Sequence, residues 1–384
     1  MRSVLILVGL IGLGIPLRAA DSLADQIRAA QTSGNYAEAG KLYLQLIASG
    51  TDSPEIRSNC GVMLHLAGKN REALEQFRIA LREQPNLAAA NLFAGMSEFD
   101  LEDPRAALPY LQKAQQLDPN RPAPALALGK AYVALRDYSR ANECYAKAVA
   151  LNPQLAEAWY GLGVTDRSLA EQMLNHAARQ SEAKSEASKS QVQSLLNKAV
   201  EALTRAAELD PDSARTHLLM AESLSDAGKL VEAVPEYQAA MKLDPALDAA
   251  YLGLASEYWK QRQFDQALPL LKHVLAKSPN DPEANAMMAD ILEHNGDLKN
   301  AGVCAQTALK GNPGLIQTRV VLARIDLAEQ KPKLAIAELR KVINADPDGS
   351  YHFLLYRAYR ADGDEEAAKQ AMAEFQQIRY GASK

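Results

Sequence analysis

The side chains best suited to metal binding or nucleophilic chemistry in this sequence are its histidines and cysteines. Six histidines stand at positions 65, 176, 217, 273, 294 and 352, and three cysteines at positions 60, 144 and 304. No two histidines are four residues apart, and no cysteine accompanies a histidine at the spacing of a zinc site. His294, close to Asp290 and Glu293, comes nearest to a metal cluster, but a solvated acidic helix face is the simpler interpretation. We therefore expect no metal site.

The motifs that accompany common forms of catalysis are also missing from the sequence. It contains no phosphate-binding G-x-x-x-x-G-K-[ST], no G-x-S-x-G nucleophile elbow and no G-x-G-x-x-G between a strand and a helix. Cys60 stands where a small core residue is expected. Cys144 and Cys304 are 160 residues apart at one position of the repeat described below, so we do not expect a disulfide between them. The expectation is a non-catalytic protein without a cofactor.

Composition narrows the class of protein further. The 384 residues are 48% hydrophobic and 23% charged, which is too apolar for a disordered chain. The net charge of −5 gives no electrostatic attraction to nucleic acid, so nucleic acid is not an expected partner.

Prolines recur through the chain with a period of 34 residues. They stand at positions 85, 119, 153, 211, 245, 279, 313 and 347, and one step, from Pro153 to Pro211, is 58 residues instead of 34. A residue before proline is disfavoured in the α conformation, so each proline marks the end of a helix. Alanines follow the same period at positions 39, 73, 107, 141, 199, 233, 267, 301, 335 and 368.

Each period contains two apolar patterns at helical spacing, separated by a short polar turn. The first helix carries a small residue at positions 61, 95, 129, 163, 221, 255, 289 and 323. The second carries the periodic alanine and a large residue at positions 43, 77, 111, 145, 203, 237, 271 and 339. Small residues let two antiparallel helices approach closely, and stacking of neighbouring hairpins buries their apolar faces.

This pattern resembles the tetratricopeptide repeat, and Trp159-Tyr160-Gly161-Leu162-Gly163 matches that family's W-x-x-L-G start. The resemblance spans about residues 20–382 in ten units. It implies an all-α, right-handed superhelical solenoid of about ten antiparallel helix hairpins, whose first helices line a concave groove. The predicted organisation is repeats 1–4 at 21–155, repeat 5 at 156–213 and repeats 6–10 at 214–382.

The long step between Pro153 and Pro211 places a 24-residue insertion in repeat 5, at about residues 170–193. Around residues 171–193 it has no proline or glycine and is rich in helix-forming residues, so it predicts a lengthened hairpin and not a flexible linker. A tolerated, solvated hairpin and a docking arm both remain open as its role.

The first twenty residues have the layout of a secretory signal peptide. Arg2 precedes an apolar run from Val4 to Pro16, and Ala19-Ala20 form a small-residue end. The run is shorter than the roughly 20 residues of a transmembrane helix, so no integral span is expected after cleavage. We expect an exported protein, periplasmic or secreted; the alternative is an inner-membrane protein anchored by an uncleaved N-terminal segment.

Carrying the groove positions of the family onto this chain gives candidate partner-binding residues. The apolar set is Leu92, Met96, Phe99, Leu126, Val133, Tyr160, Val164, Leu252 and Trp259. The charged rims are Glu222, Asp226, Asp290, Glu293, Arg324, Arg357 and Arg360. Contiguous exposed apolar side chains usually mark binding sites, although packing against the neighbouring hairpin would also explain them.

The predicted function is a non-catalytic scaffold that binds a peptide or partner subunit in this groove. A closely related alternative is an assembly factor or accessory subunit of a bacterial cell-envelope machine, such as a polysaccharide exporter, a secretion system or an outer-membrane complex. The sequence names no partner and no oligomeric state.

Overall fold

The computed structural model describes residues 18–179 and 186–380, and this part of the chain consists of helices joined by short turns. It contains twenty α-helices and one short 3-10 helix, and the described residues include no strand. The chain divides into two compact units, residues 1–210 and 211–384. The predicted all-α array of helix hairpins is confirmed.

The first unit contains five hairpins, each made of two helices consecutive in sequence. Its helices are α1 (Arg18–Thr32), α2 (Tyr36–Ala48), α3 (Pro54–Leu66), α4 (Asn70–Glu83), α5 (Ala88–Asp100), α6 (Pro104–Leu117), α7 (Pro122–Ala134), α8 (Tyr138–Leu151), α9 (Ala156–Arg179) and α10 (Glu186–Leu209). Each of the helices α2, α4, α6 and α8 also packs on the first helix of the hairpin that follows. No hairpin therefore has to bury its apolar face alone.

The second unit repeats this arrangement with five further hairpins. Its helices are α11 (Ala214–Asp226), α12 (Leu230–Leu243), α13 (Asp248–Lys260), α14 (Phe264–Lys277), α15 (Pro282–His294), α16 (Leu298–Gly311), α17 (Ile316–Ala328), α18 (Pro332–Arg340), α19 (Ser350–Asp362) and α20 (Glu365–Tyr380). Successive first helices, such as α13 and α15 or α15 and α17, also contact one another.

In hairpins two to five, a large side chain of the second helix lies over a small residue of the first. A Cβ atom added to Gly61 would lie 2.5 Å from Cε1 of Phe77, which is fully buried. Tyr145 lies in the same way over Gly129 of its own hairpin and over Gly161 of the next, where an added Cβ would lie 2.4 Å from its Cε1. The small residues thus admit the ring on which two hairpins stack.

A side-chain hydrogen bond fastens several of the turns between hairpins. The donor stands six residues after the turn proline and reaches that proline's carbonyl oxygen. Such bonds, 2.7 to 3.2 Å long, are made by Asn91, Trp159, His217, Asn285 and Arg319. The proline that ends one repeat is therefore tied to the first helix of the next.

The turn inside each hairpin of ordinary length has one residue in the left-handed region of backbone conformation. Glycine occupies it in several repeats, as at Gly296 with φ 83°. Glutamate, arginine or glutamine occupies it elsewhere, with φ 64° at Glu102, 59° at Arg136 and Arg262 and 60° at Gln330. A non-glycine residue is slightly strained there, so these side chains hold positions that glycine would fill more easily.

The fifth hairpin is lengthened, as predicted. Helices α9 and α10 contain 24 residues each, whereas α7 contains 13 and α8 contains 14. The extra residues extend each helix by about 15 Å at 1.5 Å per residue. Ala170, Ala177, Val192 and Leu196 are buried between the two helices' inner faces, while Leu174 is 52% exposed.

The predicted signal peptide lies outside the described residues up to residue 17, and α1 begins at Arg18. Among the helices of the described part, none combines the length and the apolar character needed to cross a membrane.

The ninth hairpin ends irregularly, because α18 has 9 residues and is followed by a 3-10 helix, Ile343–Ala345. Asp346 comes next, and its side chain is 1% exposed. Its carboxylate accepts from the backbone N–H groups of Gly349 and His352, both at 2.9 Å, and from His352 Nδ1 at 2.7 Å. One buried carboxylate thus holds the turn that leads into α19.

Candidate functional site

Three successive first helices of the second unit are linked by one polar network. Trp259 on α13 donates its indole N–H to Asp290 Oδ2 on α15 at 2.9 Å. Arg324 on α17 donates through Nη2 to Asp290 Oδ1 and to Glu293 Oε2, both at 2.8 Å. Two of the predicted acidic rim residues and one predicted basic rim residue therefore form a single ion-paired cluster around the predicted groove residue Trp259.

The repeat explains why these residues meet. Asp290 and Arg324 are 34 residues apart, which is one full period, and Trp259 precedes Asp290 by 31. Residues one period apart lie at the same level of neighbouring first helices, and residues three or four apart share one face of a helix. The spacing of Asp290 and Arg324 is the sequence signal from which their ion pair could have been predicted.

A pocket of about 480 Å³ lies beside this network. Its lining residues are Trp259, Lys260, Arg262, Asp290, Glu293, His294, Gln317 and Arg324. It combines one indole ring with charged, imidazole and amide side chains, and the described residues that line it include no aliphatic side chain. Three lining residues were not expected at a site: Lys260, Arg262 and Gln317. Gln317 lies on a different hairpin from the other two, and only the stacking of the hairpins brings all three to one pocket.

Arg262 and His294 form one wall of the pocket. The guanidinium Nη2 donates to Nδ1 of His294 at 3.2 Å, and the guanidinium carbon lies 4.9 Å from the ring centre of Phe264. Because arginine only donates, Nδ1 is the acceptor of this hydrogen bond. Both side chains belong to exposed residues, so a ligand can reach them.

A buried carboxylate outside the pocket lining, that of Glu257, binds one of the lining residues. Glu257 is 1% exposed, and its Oε1 accepts from Ser225 Oγ at 2.6 Å and from Lys260 Nζ at 2.9 Å. This pairing holds the ammonium group of Lys260 at the edge of the pocket. Oε2 of Glu257 and Nε of Arg324 are both buried with no hydrogen-bond partner among the described residues.

The predicted apolar residues of the first unit lie on α5, α7 and α9. Met96, Phe99, Leu126 and Val133 are partly buried and pack on one core cluster. Leu92 belongs to that cluster and is 7% exposed, so it offers a ligand little surface. Tyr160 and Val164, on α9, are partly buried as well. Packing accounts for part of this set, and the exposed parts of the other side chains remain candidate contacts.

The other predicted residues of the second unit lie apart from the pocket's lining. Leu252 is partly buried and packs on the α13–α15 core. Glu222 and Asp226 lie on α11, and Arg357 and Arg360 are exposed on α19. Arg360 donates to Tyr356 Oη at 3.4 Å. These residues remain predictions.

Two of the three cysteines, Cys60 and Cys144, have the surroundings of structural residues. Burial raises the pKa of Cys60 to about 12 and that of Cys144 to about 11, so both thiols stay protonated at neutral pH and are poor nucleophiles. The described residues contain no group of three or more His, Cys, Asp or Glu side chains able to hold a metal ion.

Comparison with protein families identifies the repeat. One model described as Tetratricopeptide repeat matches residues 98–164, 224–291 and 258–314, and a second with the same description matches residues 67–122 and 193–248. Together they span residues 67–164 and 193–314, which is more than half of the chain.

One similar curated protein is Cellulose synthase operon protein C of Pseudomonas fluorescens (strain SBW25). It is 30% identical over 146 residues, which cover 36% of this chain and only 11% of that relative. The match thus involves a small part of a much longer protein.

Among solved structures, YrrB, described as a TPR protein with an unusual peptide-binding site, is 20% identical with a TM-score of 0.42, covering 54% of this chain and 95% of its own. PilF of Pseudomonas aeruginosa is 16% identical with a TM-score of 0.49, covering 62% and 97%. MamA of Desulfovibrio magneticus RS-1 is 20% identical with a TM-score of 0.42, covering 51% and 98%.

Proposed function

We propose that this chain, which belongs to the tetratricopeptide repeat family, is a non-catalytic scaffold that binds a peptide segment or partner subunit along its first helices. The primary contact is the pocket beside Trp259, and the exposed parts of Met96, Phe99, Leu126 and Val133 form a separate contact in the first unit.

The observation that carries this proposal is the construction of the pocket in the second unit. A half-buried tryptophan is fixed by its hydrogen bond to Asp290, and Arg324 ties Asp290 to the following hairpin. An aromatic side chain held in place in this way loses little conformational entropy when it is covered. Tryptophan and arginine are also the residues most often found to dominate binding energy at protein interfaces.

The chemistry of the same site supports a non-catalytic role. The acids Asp290 and Glu293 are both occupied by Arg324, so neither is poised to act as a general base. The raised pKa values keep the thiols of Cys60 and Cys144 protonated at neutral pH, and the family consists mainly of binding proteins.

The test is capture of partners by the purified mature chain. Phe99→Asp and Trp259→Ala are each expected to lose bound partner while circular dichroism stays helical. Val231→Ala is the control, because this side chain is 86% exposed on a second helix of the same unit as Trp259. If both groove variants kept full affinity, the binding surface would have been assigned wrongly.

A second candidate function is a part in a cell-envelope machine. Its support is the predicted signal peptide together with the similarity of 146 residues to a protein named for a cellulose synthase operon. Fractionation of cells that produce the chain with an alkaline phosphatase fused to its C-terminus tests export. Active phosphatase in the periplasm is the expected result, and inactive enzyme in the cytoplasm would contradict it.

A further inference from the structure

We propose that the outer face of the last hairpin, formed by α19 and α20, binds the same face of a second copy of this chain, so that the protein forms a two-fold symmetric dimer. This interface goes beyond the proposed function. None of its residues lines the pocket beside Trp259 or belongs to the apolar contact of the first unit.

A groove of about 290 Å³ lies on this face. Its lining residues are Tyr356, Arg360, Glu365, Ala368, Lys369, Met372, Ala373 and Gln376. In the four preceding hairpins of the same unit, the second helix packs on the first helix of the hairpin that follows. No helix of the described chain packs on α20 in this way, so the groove is open to a partner.

Aromatic rings extend the apolar surface beside the groove. Phe353 is 40% exposed and Tyr380 is 65% exposed. The ring centre of Phe353 lies 5.3 Å from that of Phe375 and 5.9 Å from that of Tyr356, and the ring centre of Phe375 lies 6.4 Å from that of Tyr380. Together with Met372 these rings form a contiguous, partly exposed apolar patch, which is typical of an interaction surface.

The side chain of Phe375 disfavours another ordinary hairpin as the occupant of this face. Phe375 stands seven residues after the periodic alanine, at a position that is alanine at 80, 114, 148, 206, 240 and 308. In the fourth hairpin this alanine, Ala148, packs between Ala125 of its own hairpin and Ala158 of the next, and all three are fully buried. A phenyl ring is too large for such a close contact. A partner that simply continued the array, head to tail, is therefore disfavoured.

The charges of α20 match a second α20 that runs in the opposite direction. Glu365 stands seven residues before Met372 and Arg379 seven residues after it, so the three side chains lie on one face of the helix at intervals of two turns. Antiparallel pairing about an axis at Met372 places Glu365 of each copy opposite Arg379 of the other. Both side chains are exposed, and the ion pairs of the described residues include neither of them.

The other charges of this face do not prevent self-association. The last hairpin, residues 350–380, carries four basic and five acidic side chains, so two copies repel each other little. Lys369 is paired with Glu366 at 3.4 Å. Arg360 has no such pair, but it is exposed and its charge stays screened by water and salt. Because an interface of one hairpin is small, we expect a weak dimer with a dissociation constant in the micromolar range.

Sedimentation velocity of the purified mature chain tests the dimer, and a reversible equilibrium between monomer and dimer is the expected result. Glu365→Arg and Arg379→Glu are each expected to raise the dissociation constant about tenfold or more, because every dimer contains the altered pair twice. Mixed in equal amounts, the two variants should associate with each other within about threefold of the wild-type affinity. In that mixed dimer each arginine of one chain again faces a glutamate of the other.

Asp362→Arg is the matched control for charge. It makes the same change of charge as Glu365→Arg at an exposed residue of the same hairpin that does not line the groove, so the dimer should persist. Circular dichroism during heating checks that each variant is folded.

A cysteine placed at the proposed axis tests the symmetry of the contact. Met372→Cys is expected to give a disulfide-linked dimer on mild oxidation, because a two-fold contact brings a residue on the axis next to its own counterpart. Gln370→Cys is the matched control, since this exposed residue lies on nearly the opposite side of α20 and should form little linked dimer. The native cysteines are the same in both variants.

Several outcomes would overturn the dimer. They are a monomer at every concentration, assemblies that grow beyond a dimer, single charge variants that dimerise like the wild type, a mixture of the two that does not associate, and equal linking through residues 370 and 372. None of these results bears on the proposed function, because capture of a partner by the first helices is tested separately with Phe99→Asp and Trp259→Ala.

Discussion

The indole nitrogen of Trp259 lies 2.9 Å from Oδ2 of Asp290, so that a ring on one hairpin is oriented by a carboxylate on the next. Oδ1 of the same carboxylate accepts from Arg324 on the hairpin after that, at 2.8 Å. A single aspartate therefore joins three hairpins, and it also fixes the aromatic wall of the candidate binding pocket.

Asp290→Ala is expected to weaken both folding and binding. The change leaves the indole N–H without its acceptor, and it leaves Arg324 with one carboxylate partner instead of two. Because the lost hydrogen bonds involve a charged group, the free energy of unfolding is expected to fall by about 1 to 3 kcal/mol. Urea unfolding followed by circular dichroism measures the change. Glu283→Ala, at an exposed position near the start of the same helix, is the control and should shift the midpoint little. Equal midpoints for the two variants would contradict the structural role of Asp290.

Gly163→Ala tests the close contact within a hairpin. The added methyl would lie 2.4 Å from Cγ of fully buried Leu203, so the core is overpacked and the expected loss of stability is about 1 to 3 kcal/mol. Gly302→Ala is the matched control, because a Cβ atom there meets nothing within 4 Å on the interior of α16. That variant should gain up to about 1 kcal/mol from helix propensity. The midpoint temperature of thermal unfolding should fall for Gly163→Ala and rise for Gly302→Ala.

Asp326→Asn is expected to stabilise the chain more at neutral than at acidic pH. Burial raises the pKa of Asp326 to about 6 from 3.8, so the folded state holds this proton more tightly than the unfolded state does. The free energy of unfolding therefore falls as the pH rises from about 3.8 to about 6, because the folded chain loses a proton that it holds more tightly than the unfolded chain does. We expect a gain on the order of 1 to 2 kcal/mol at pH 7.5 and a smaller one at pH 4.5.

The exposed carboxyl of Asp362 on α19 provides the control for this pH dependence. Asp362→Asn should show the same small effect at both pH values in urea unfolding. A gain for Asp326→Asn that did not differ between pH 4.5 and 7.5 would show that its ionisation does not affect folding.

Asp346→Ala is expected to loosen the last hairpin. The change removes the acceptor for three backbone N–H groups and for the ring of His352. The loss of these buried, charge-assisted bonds is expected to cost about 2 to 4 kcal/mol of stability. Hydrogen exchange should accelerate in α19 and α20. Asp348→Ala is the nearby control, since Asp348 accepts from Ser350 N–H at an exposed position. Unchanged exchange in α19 for Asp346→Ala would refute the role assigned to this carboxylate.

The repeat architecture could be predicted because its signals are local and recur. Proline spacing marks the helix ends, and the small and large positions of each period correspond to contacts such as Gly61 with Phe77. The lengthened fifth hairpin followed from one irregular proline step and a helix-forming composition. The periodic signals recur often enough to be distinguished from chance, and the irregular step stands out against them.

The candidate site was predictable only in part, because it depends on contacts between hairpins. Trp259, Asp290, Glu293 and Arg324 were expected as groove and rim residues, but not as one ion-paired network. Arg262 was not expected at a site, since it stands in a turn that the family pattern assigns to no function. Its side chain contacts His294, 32 residues later in the sequence, and this contact exists only because the two hairpins are stacked.

The fifth hairpin shows that the length of a hairpin can change without a change in the contacts by which it packs. Both of its arms are 24 residues long, yet Gly161 still receives the ring of Tyr145 from the preceding hairpin and Gly163 still receives Leu203 from its own second arm. The residues added to the two helices therefore lengthen them beyond these contacts and leave the contacts themselves in place. A chain built in this way can lengthen one hairpin while the contacts within that hairpin and with the preceding one are kept.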